Sequence, residues 1–351
     1  MMKLGVGIVE GFYGTPYSEA DRAYCAKQLQ AMGGKFYIYA PKGDPYLRKR
    51  WTESLPTEHA QMLRAFGKTL ADHGLEFGVG LSPYELYRAF DVDAQTALTQ
   101  KLEEIQSLGV THLALLFDDM RGDLPNLAEL QIEIIRFVQK FSGFKSLSFC
   151  PTYYSTDTIL DRVFGERPVG YLETLSAAID DSVDFFWTGE KICSTEYSSE
   201  HLAEVTRLMK RKPFIWDNYP VNDGQRMCKF LHLREASNRP ARLNDEISGQ
   251  AINPMNQAHL SWIPIRTLFQ GYANEQLSWV EAAKAELGDK FARALEADLE
   301  LFNDQGLEKI TDEQKQVLHE KYSQFSHPAA REIIRWLKGE YEVTRELVLT
   351  Q

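Results

Sequence analysis

Two adjacent carboxylates, Asp118 and Asp119, follow the apolar run Leu113-Ala114-Leu115-Leu116-Phe117. Carboxylates sharing a partly enclosed site repel each other, so one pKa rises and that group can hold a proton near neutrality. Such a pair supplies one general acid and one charged partner. Their Cα atoms lie only about 3.8 Å apart. Side chains of neighbouring strand residues diverge, yet both leave the chain on one side of anything bound there. Direct double displacement at a glycosidic bond needs carboxyls ~5–5.5 Å apart across that bond, and inversion needs ~6.5–9.5 Å. Adjacent residues suit neither geometry well and suit a reaction whose nucleophile belongs to the substrate. The plainer alternative is a polar strand end with one Asp capping the next helix.

Other polar and unusual residues stand in equivalent places, just after apolar runs. They are Glu10-Gly11-Phe12-Tyr13-Gly14, Ala40-Pro41-Lys42-Gly43-Asp44-Pro45, Cys150-Pro151-Thr152-Tyr153-Tyr154 and Trp187-Thr188-Gly189. Trp216-Asp217-Asn218, running on to Asn222-Asp223, and Asn253-Pro254-Met255 complete the set. Other chemistries find little support. Gly5-Val6-Gly7 has Glu10 where a dinucleotide loop needs its third glycine, and no P-loop, G-x-S-x-G or H-E-x-x-H occurs. The eight histidines lack ligand spacing, and no metal-ligand set is expected among them and the four cysteines. His112 starts the run that ends at Asp118, which puts it at the opposite end of that element and makes it structural.

These positions need a scaffold that brings strand ends together. Strands are expected at Leu4–Glu10, Lys35–Ala40, Glu76–Ser82, His112–Asp118, Ser146–Pro151, Asp184–Trp187, Pro213–Trp216 and Ile247–Ile252. Helical periods lie between them, such as Leu98, Leu102, Ile105, Leu108 and Leu127, Leu130, Ile134, Val138, Phe141. Eight strands, most followed by a helix, imply an α/β fold of the (β/α)8 TIM-barrel type, whose strand C-termini form one functional face. A doubly wound open sheet is the competing topology. Residues 220–246 show little period. From about Ala258 only helices are expected: His259–Gln270, Trp279–Leu287, Phe291–Phe302, Asp312–Phe325 and Pro328–Leu347, with breaks at Asp304-Gln305-Gly306 and Ser326-His327-Pro328. The division is a barrel over 1–257 and a helical C-terminal extension over 258–351.

The chain has 351 residues, 25% charged and 44% hydrophobic, as in ordinary globular proteins, which excludes a disordered, collagenous or membrane-spanning chain. The net charge of −11 repels polyanions. The one compact basic cluster, Lys210-Arg211-Lys212, falls at an expected helix end, where cations favour the dipole. Nucleic acid is therefore not an expected partner. Four scattered cysteines without a C-x-x-C pair read as reduced thiols of a cytoplasmic protein. No signal peptide and no run near the ~18 apolar residues of a membrane span is visible.

Taken jointly and in order, several of these motifs resemble glycoside hydrolase family 84. They are Val9-Glu10-Gly11-Phe12-Tyr13-Gly14-Thr15-Pro16, Tyr39-Ala40-Pro41-Lys42, Leu116-Phe117-Asp118-Asp119, Cys150-Pro151-Thr152, Trp187-Thr188-Gly189, Trp216-Asp217-Asn218 with Asn222-Asp223, and Asn253-Pro254. The resemblance covers about residues 4–255. It implies a catalytic barrel that hydrolyses terminal β-linked GlcNAc with retention, through substrate assistance and an oxazoline. On that resemblance Asp118 orients and polarises the acetamido group, and Asp119 protonates the leaving oxygen and then activates water. Tyr154 and Asn218 would hold the acetamide, with Trp216 and Cys150 walling its pocket and Thr188 lining it. The Gly11 backbone, Lys42, Asp223 and Asn253 would bond the sugar hydroxyls. Three positions depart from the family pattern: Tyr153 in place of Glu, Gly43 in place of Asp, and Tyr17 in place of Trp. The first two are expected to lower negative charge at the pocket rim and bear on aglycone preference.

The expected partner is a GlcNAc-terminated glycoconjugate or oligosaccharide, with no cofactor; a homodimer is left open. Two rivals remain at this level. One is a glycan-binding barrel that has lost activity, which the intact Asp118 and Asp119 argue against. The other is a metal-dependent barrel hydrolase using the aspartates as ligands, against which stands the lack of histidine at the strand ends.

Overall fold

The computed structural model describes residues 4–343, apart from 142, 237, 240, 276 and 277. Its strands are β1 Gly5–Glu10, β2 Phe36–Tyr39, β3 Glu76–Leu81, β4 His112–Leu116, β5 Ser146–Cys150, β6 Val183–Trp187, β7 Phe214–Asp217 and β8 Gly249–Ile252. Each expected strand occurs. All neighbours pair in parallel and β1 closes on β8, with Ile8 opposite Ile252. A doubly wound sheet has open edges, so closure decides for the (β/α)8 barrel. Parallel strands covered by helices are buried on both sides and read as continuous apolar runs; β4 is buried throughout.

The barrel helices are α1 Glu19–Met32, α2 Thr57–Asp72, α3 Val92–Ser107, α4 Leu127–Gln139, α5 Ile159–Phe164, α6 Tyr171–Ala178, α7 Ser199–Met209, α8 Leu243–Glu246 and α9 Trp262–Tyr272. Local chemistry starts several of them. Ser18 and Asp21 form a reciprocal capping box at α1, and Asp91 and Ser198 cap α3 and α7. Leu98, Leu102 and Ile105 of α3 are buried, as their spacing requires. Lys210-Arg211-Lys212 does follow a helix, but Arg211 serves a different one. Its guanidinium donates to the carbonyls of Ser176, Ile179, Asp180 and Val183, tying the end of α6 to β6.

Beyond α9 come α10 Trp279–Leu287, α11 Asp289–Glu300, α12 Asp312–Ser323 and α13 Pro328–Leu337. Pro328 sits in the first turn of α13, with His327 as its N-cap. Residues 344–347 of the expected last helix lie outside the described residues. Trp262, Ile265, Leu268 and Phe269 of α9 pack into the barrel core. The second cluster is built by Trp279, Leu295, Phe302, Tyr322, Ile333 and Trp336. Ile263 of α9 joins that second cluster, so α9 bridges the two units, and we propose that the division falls after residue 257.

Leu231 and Leu233, from the segment joining β7 to β8, belong to that second cluster. Trp336 Nε1 donates to Cys228 O at 3.0 Å and Trp279 Nε1 to Leu233 O at 2.7 Å. The extension therefore braces a loop that has no period of its own. Among the described residues no helix is long and apolar enough to cross a membrane.

Candidate active site

The β4 ladder continues one step, with Phe117 N donating to Cys150 O at 2.9 Å. Strand alternation would then send Asp118 and Asp119 to opposite faces. Asp119 instead takes a left-handed backbone, φ 55°, and both carboxylates line one hollow at the C-terminal end of the barrel. A left-handed non-glycine residue carries strain of order 1–3 kcal/mol and persists where its surroundings over-determine it. Here Arg48 Nη2 donates to Asp119 O at 3.3 Å, and Tyr13 Oη donates to Asp119 Oδ2 at 2.6 Å.

Lys42 stands between the two acids. Its ammonium pairs with Asp118 Oδ2 and lies 3.8 Å from Asp119 Oδ2. Burial works against the ammonium charge, but Asp118 and Asp119 outweigh it and hold the lysine pKa above its ordinary value. The resemblance implies that Lys42 bonds sugar hydroxyls; in the structure its ammonium lines the hollow and also faces both carboxylates. Asp118 Oδ1 is buried with no hydrogen-bond partner among the described residues. That oxygen is an acceptor awaiting a donor.

The rest of the wall is a chain of side-chain amides. Asn218 Oδ1 accepts from Trp216 Nε1 and from Asn253 Nδ2, both at 3.0 Å. Asn253 Oδ1 accepts from Gly11 N at 3.3 Å, and Asn218 Nδ2 donates to Ile192 O at 2.9 Å. A Cβ at Gly11 would overlap the Trp216 ring, so this approach needs glycine. Tyr154 is buried at the wall of the hollow. Burial first, then Asp119 and Asp118, raise its pKa well above that of a free tyrosine, so it stays a neutral donor. The Thr188 hydroxyl is committed to Lys191 O at 2.9 Å. Cys150 is buried, which pushes its thiol up and leaves it an inert wall. Asp223 accepts from Tyr13 N at 2.8 Å, and burial pushes its carboxyl up to about 6.

All of Gly11, Lys42, Asp118, Asp119, Cys150, Tyr154, Thr188, Trp216, Asn218, Asp223 and Asn253 line this hollow, of about 550 Å³ with its open mouth. Tyr13, Ile192, Cys193 and Val221 line it as well and were not foreseen. Tyr13 had a signal, being two residues from Gly11 in the same strand-end motif. Ile192 and Cys193 had none, because their loop is held by distant partners. Arg239 donates to Ser194 O and Thr195 O at 2.9 and 2.6 Å and forms a two-pronged pair with Asp217 at the end of β7. Gln250 adds a further bond to Asp217 at 2.7 Å. Arg239→Met would strand a buried carboxylate and release the loop. The expected loss is about 3–5 kcal/mol, measurable by urea unfolding.

The departures sit elsewhere than expected. Tyr153 is fully buried, donates to Gly165 O at 2.7 Å and packs edge-on against Tyr171, away from the rim. Gly43 is exposed and outside the lining, and Tyr17 is buried against Phe12. The expected effect of Tyr153 on rim charge therefore fails, because its side chain points into the packing beneath the loop. His112 is buried against Ser148 Oγ at 2.6 Å, and burial pushes it down to about 4, as suits a structural residue. One cluster of ligand-type residues was not visible in the sequence. Asp21, His259 and Glu332, far apart in sequence, bring ligand-type atoms within 4.8 Å of one another, outside this hollow.

The family model for beta-N-acetylglucosaminidase matches residues 6–303. Over 275 residues the chain is 30% identical to Protein O-GlcNAcase of Mus musculus, covering 76% of this chain and 30% of that one. The protein of the same name from Rattus norvegicus gives the same identity and coverage. The chain thus spans about 30% of the length of the curated relatives it matches. Among solved structures, a mutant O-GlcNAc hydrolase of Thermobaculum terrenum superposes with a TM-score of 0.79 at 28% identity, covering 95% of this chain and 80% of that one. A structure named CpGH84B gives 0.75 at 24% identity, covering 97% and 67%, a likeness of fold.

Proposed function

The chain belongs to the β-N-acetylglucosaminidase family, glycoside hydrolase family 84, and from that premise we propose that it hydrolyses terminal β-linked GlcNAc with retention. The observation that carries the reading is Asp118, whose Oδ2 is tied to Lys42 while its buried Oδ1 has no partner among the described residues. An acetamido N–H is the donor that would satisfy that oxygen. Bonding it would turn the acetamido oxygen toward the anomeric carbon and increase its electron density.

In the first step that oxygen forms a bond to the anomeric carbon as the bond to the leaving oxygen breaks. Asp119 gives its proton to the leaving oxygen, and Asp118 stabilises the N–H of the oxazolinium ring. In the second step the aglycone has gone and water takes its side. Asp119 removes a proton from that water, its oxygen bonds the anomeric carbon, and the ring opens back to the acetamide. Tyr154 and the spare N–H of Asn218 would hold the acetamide, while Trp216 and Cys150 wall it. Asp223, Asn253 and the Gly11 backbone would fix the hydroxyls. Unpaired cysteines at 25, 150, 193 and 228 fit a reducing compartment, and we infer the cytoplasm.

The test is release of a phenol from an aryl β-GlcNAc, with the first-formed sugar followed by NMR. The β-anomer should appear first, and turnover at 25 °C should persist after exhaustive EDTA treatment. Binding without turnover would favour the glycan-binding rival. Activity lost to chelation and restored by a divalent ion would favour the metal-dependent one.

A further inference from the structure

A second hollow, of about 570 Å³ with its open mouth, lies where α13 meets the barrel. Asp21 in the first turn of α1, Asn256 and His259 after β8, and Glu332 in α13 line it. One nitrogen or oxygen from each of Asp21, His259 and Glu332 lies within 4.8 Å of the other two. Two atoms of residues on this lining are buried with no partner among the described residues, His259 Nδ1 and Asn256 Oδ1. His259 is 8% exposed and Asn256 5%. The amide orientation is set independently, because Asn256 Nδ2 donates to Tyr13 O at 3.1 Å. Its oxygen is therefore the atom left over.

The carboxylates are oriented from behind. Glu332 accepts the N–H groups of His259 and Leu260 at 2.9 and 3.0 Å, and Asp21 Oδ2 accepts the Ser18 N–H and hydroxyl at 3.1 and 2.7 Å. Each Glu332 oxygen keeps a second lone pair, and Asp21 Oδ1 is not engaged by Ser18. Such outer bonds are what fix ligating carboxylates in metal sites. The His259 ring packs against Tyr24, centroids 4.1 Å apart and planes tilted by 34°, and its Nε2 lies 3.4 Å from Asp21 Oδ1. Arg331 and Arg335 line the mouth but are exposed and engaged by Ser326 O and Glu340. Among the described residues, the one ion-pair partner of the two carboxylates is His259.

We infer that Asp21, His259 and Glu332 bind a divalent cation. One imidazole with two carboxylates matches Zn²⁺, and its double charge balances the two acids. The ligands come from α1, from the segment after β8 and from α13, so the ion clamps the helical extension onto the barrel. It supplies nothing to the hydrolytic hollow, and the inference stands apart from the proposed reaction.

Untagged full-length protein, stripped with chelator and dialysed, is titrated with ZnCl₂ by calorimetry and by thermal unfolding. One Zn²⁺ per chain should bind, and Tm should rise by about 5 °C at a hundredfold excess over Kd. Asp21→Asn and His259→Gln should fold normally by circular dichroism, bind at least ~100-fold more weakly and lose the Tm rise. Glu332→Gln also disturbs two backbone bonds, so those two variants decide. Absence of stoichiometric binding, a preference for Ca²⁺ or Mg²⁺ over Zn²⁺, or undiminished binding in both variants would overturn the assignment. Aryl-glycoside turnover at 25 °C, read in parallel, should not change on stripping, which keeps this test separate from that of the hydrolase.

Discussion

Asp119→Asn will lower kcat/KM by about 10²–10⁴-fold on alkyl-linked GlcNAc, whose leaving oxygen must be protonated as its bond breaks. The same variant will lose far less on aryl substrates with acidic phenols, which depart as anions. Asp118→Asn will be slow on both, because a misaligned internal nucleophile is not repaired by a better leaving group. The two variants are matched controls. Asn tolerates the left-handed backbone at 119 nearly as well as Asp does, and the Arg48 bond to that carbonyl is to the main chain. A folding defect is therefore not the expected cause of lost activity at 119. At 118 the amide removes the charge that faces the buried Lys42 ammonium, so a thermal unfolding curve should accompany the kinetics. Equal losses across leaving groups for Asp119→Asn would sink the assignment of the acid.

The barrel was legible because its signal is local. Eight apolar runs bounded by breaks mark the strands, and capping residues such as Ser18 and Asp91 mark helix starts. The site was legible for a related reason: in a closed parallel barrel every strand end contributes to one face, so residues just after the runs meet without further information. What escaped has a tertiary cause. Residues 220–246 have no period because Trp279, Trp336 and Phe302 hold them from outside. The Ile192–Cys193 loop enters the hollow through Asn218 and Arg239, which are distant in sequence. The pairing of Lys42 was hidden for the same reason: nothing local shows that its ammonium stands between Asp118 and Asp119. Asp21, His259 and Glu332 have no ligand spacing because three separate elements carry them.

Progressive fluorination of the N-acyl methyl group will slow hydrolysis steeply and monotonically. If the acetamido oxygen attacks, it gains positive character as it bonds the anomeric carbon, so its basicity controls the barrier. Each fluorine withdraws density from that oxygen while changing the size of the acyl group only modestly. Every tenfold loss corresponds to about 1.4 kcal/mol of barrier, so a slope over the series measures the charge developed on the nucleophile. The acyl pocket does not confound the slope, since KM and kcat report ground-state fit and chemistry separately. A β-glucoside, with no acetamide, should scarcely turn over. A thiazoline mimic of the intermediate should bind far more tightly than GlcNAc, because it uses contacts the ground state lacks. Its binding should weaken in Asp118→Asn, where the charge facing the ring nitrogen is gone. The opposite outcome is equally clear. A flat rate across the fluorinated series, or a glycosyl ester trapped on any aspartate or glutamate, would mean that the protein supplies the nucleophile, and that the free oxygen of Asp118 waits for something other than an acetamide.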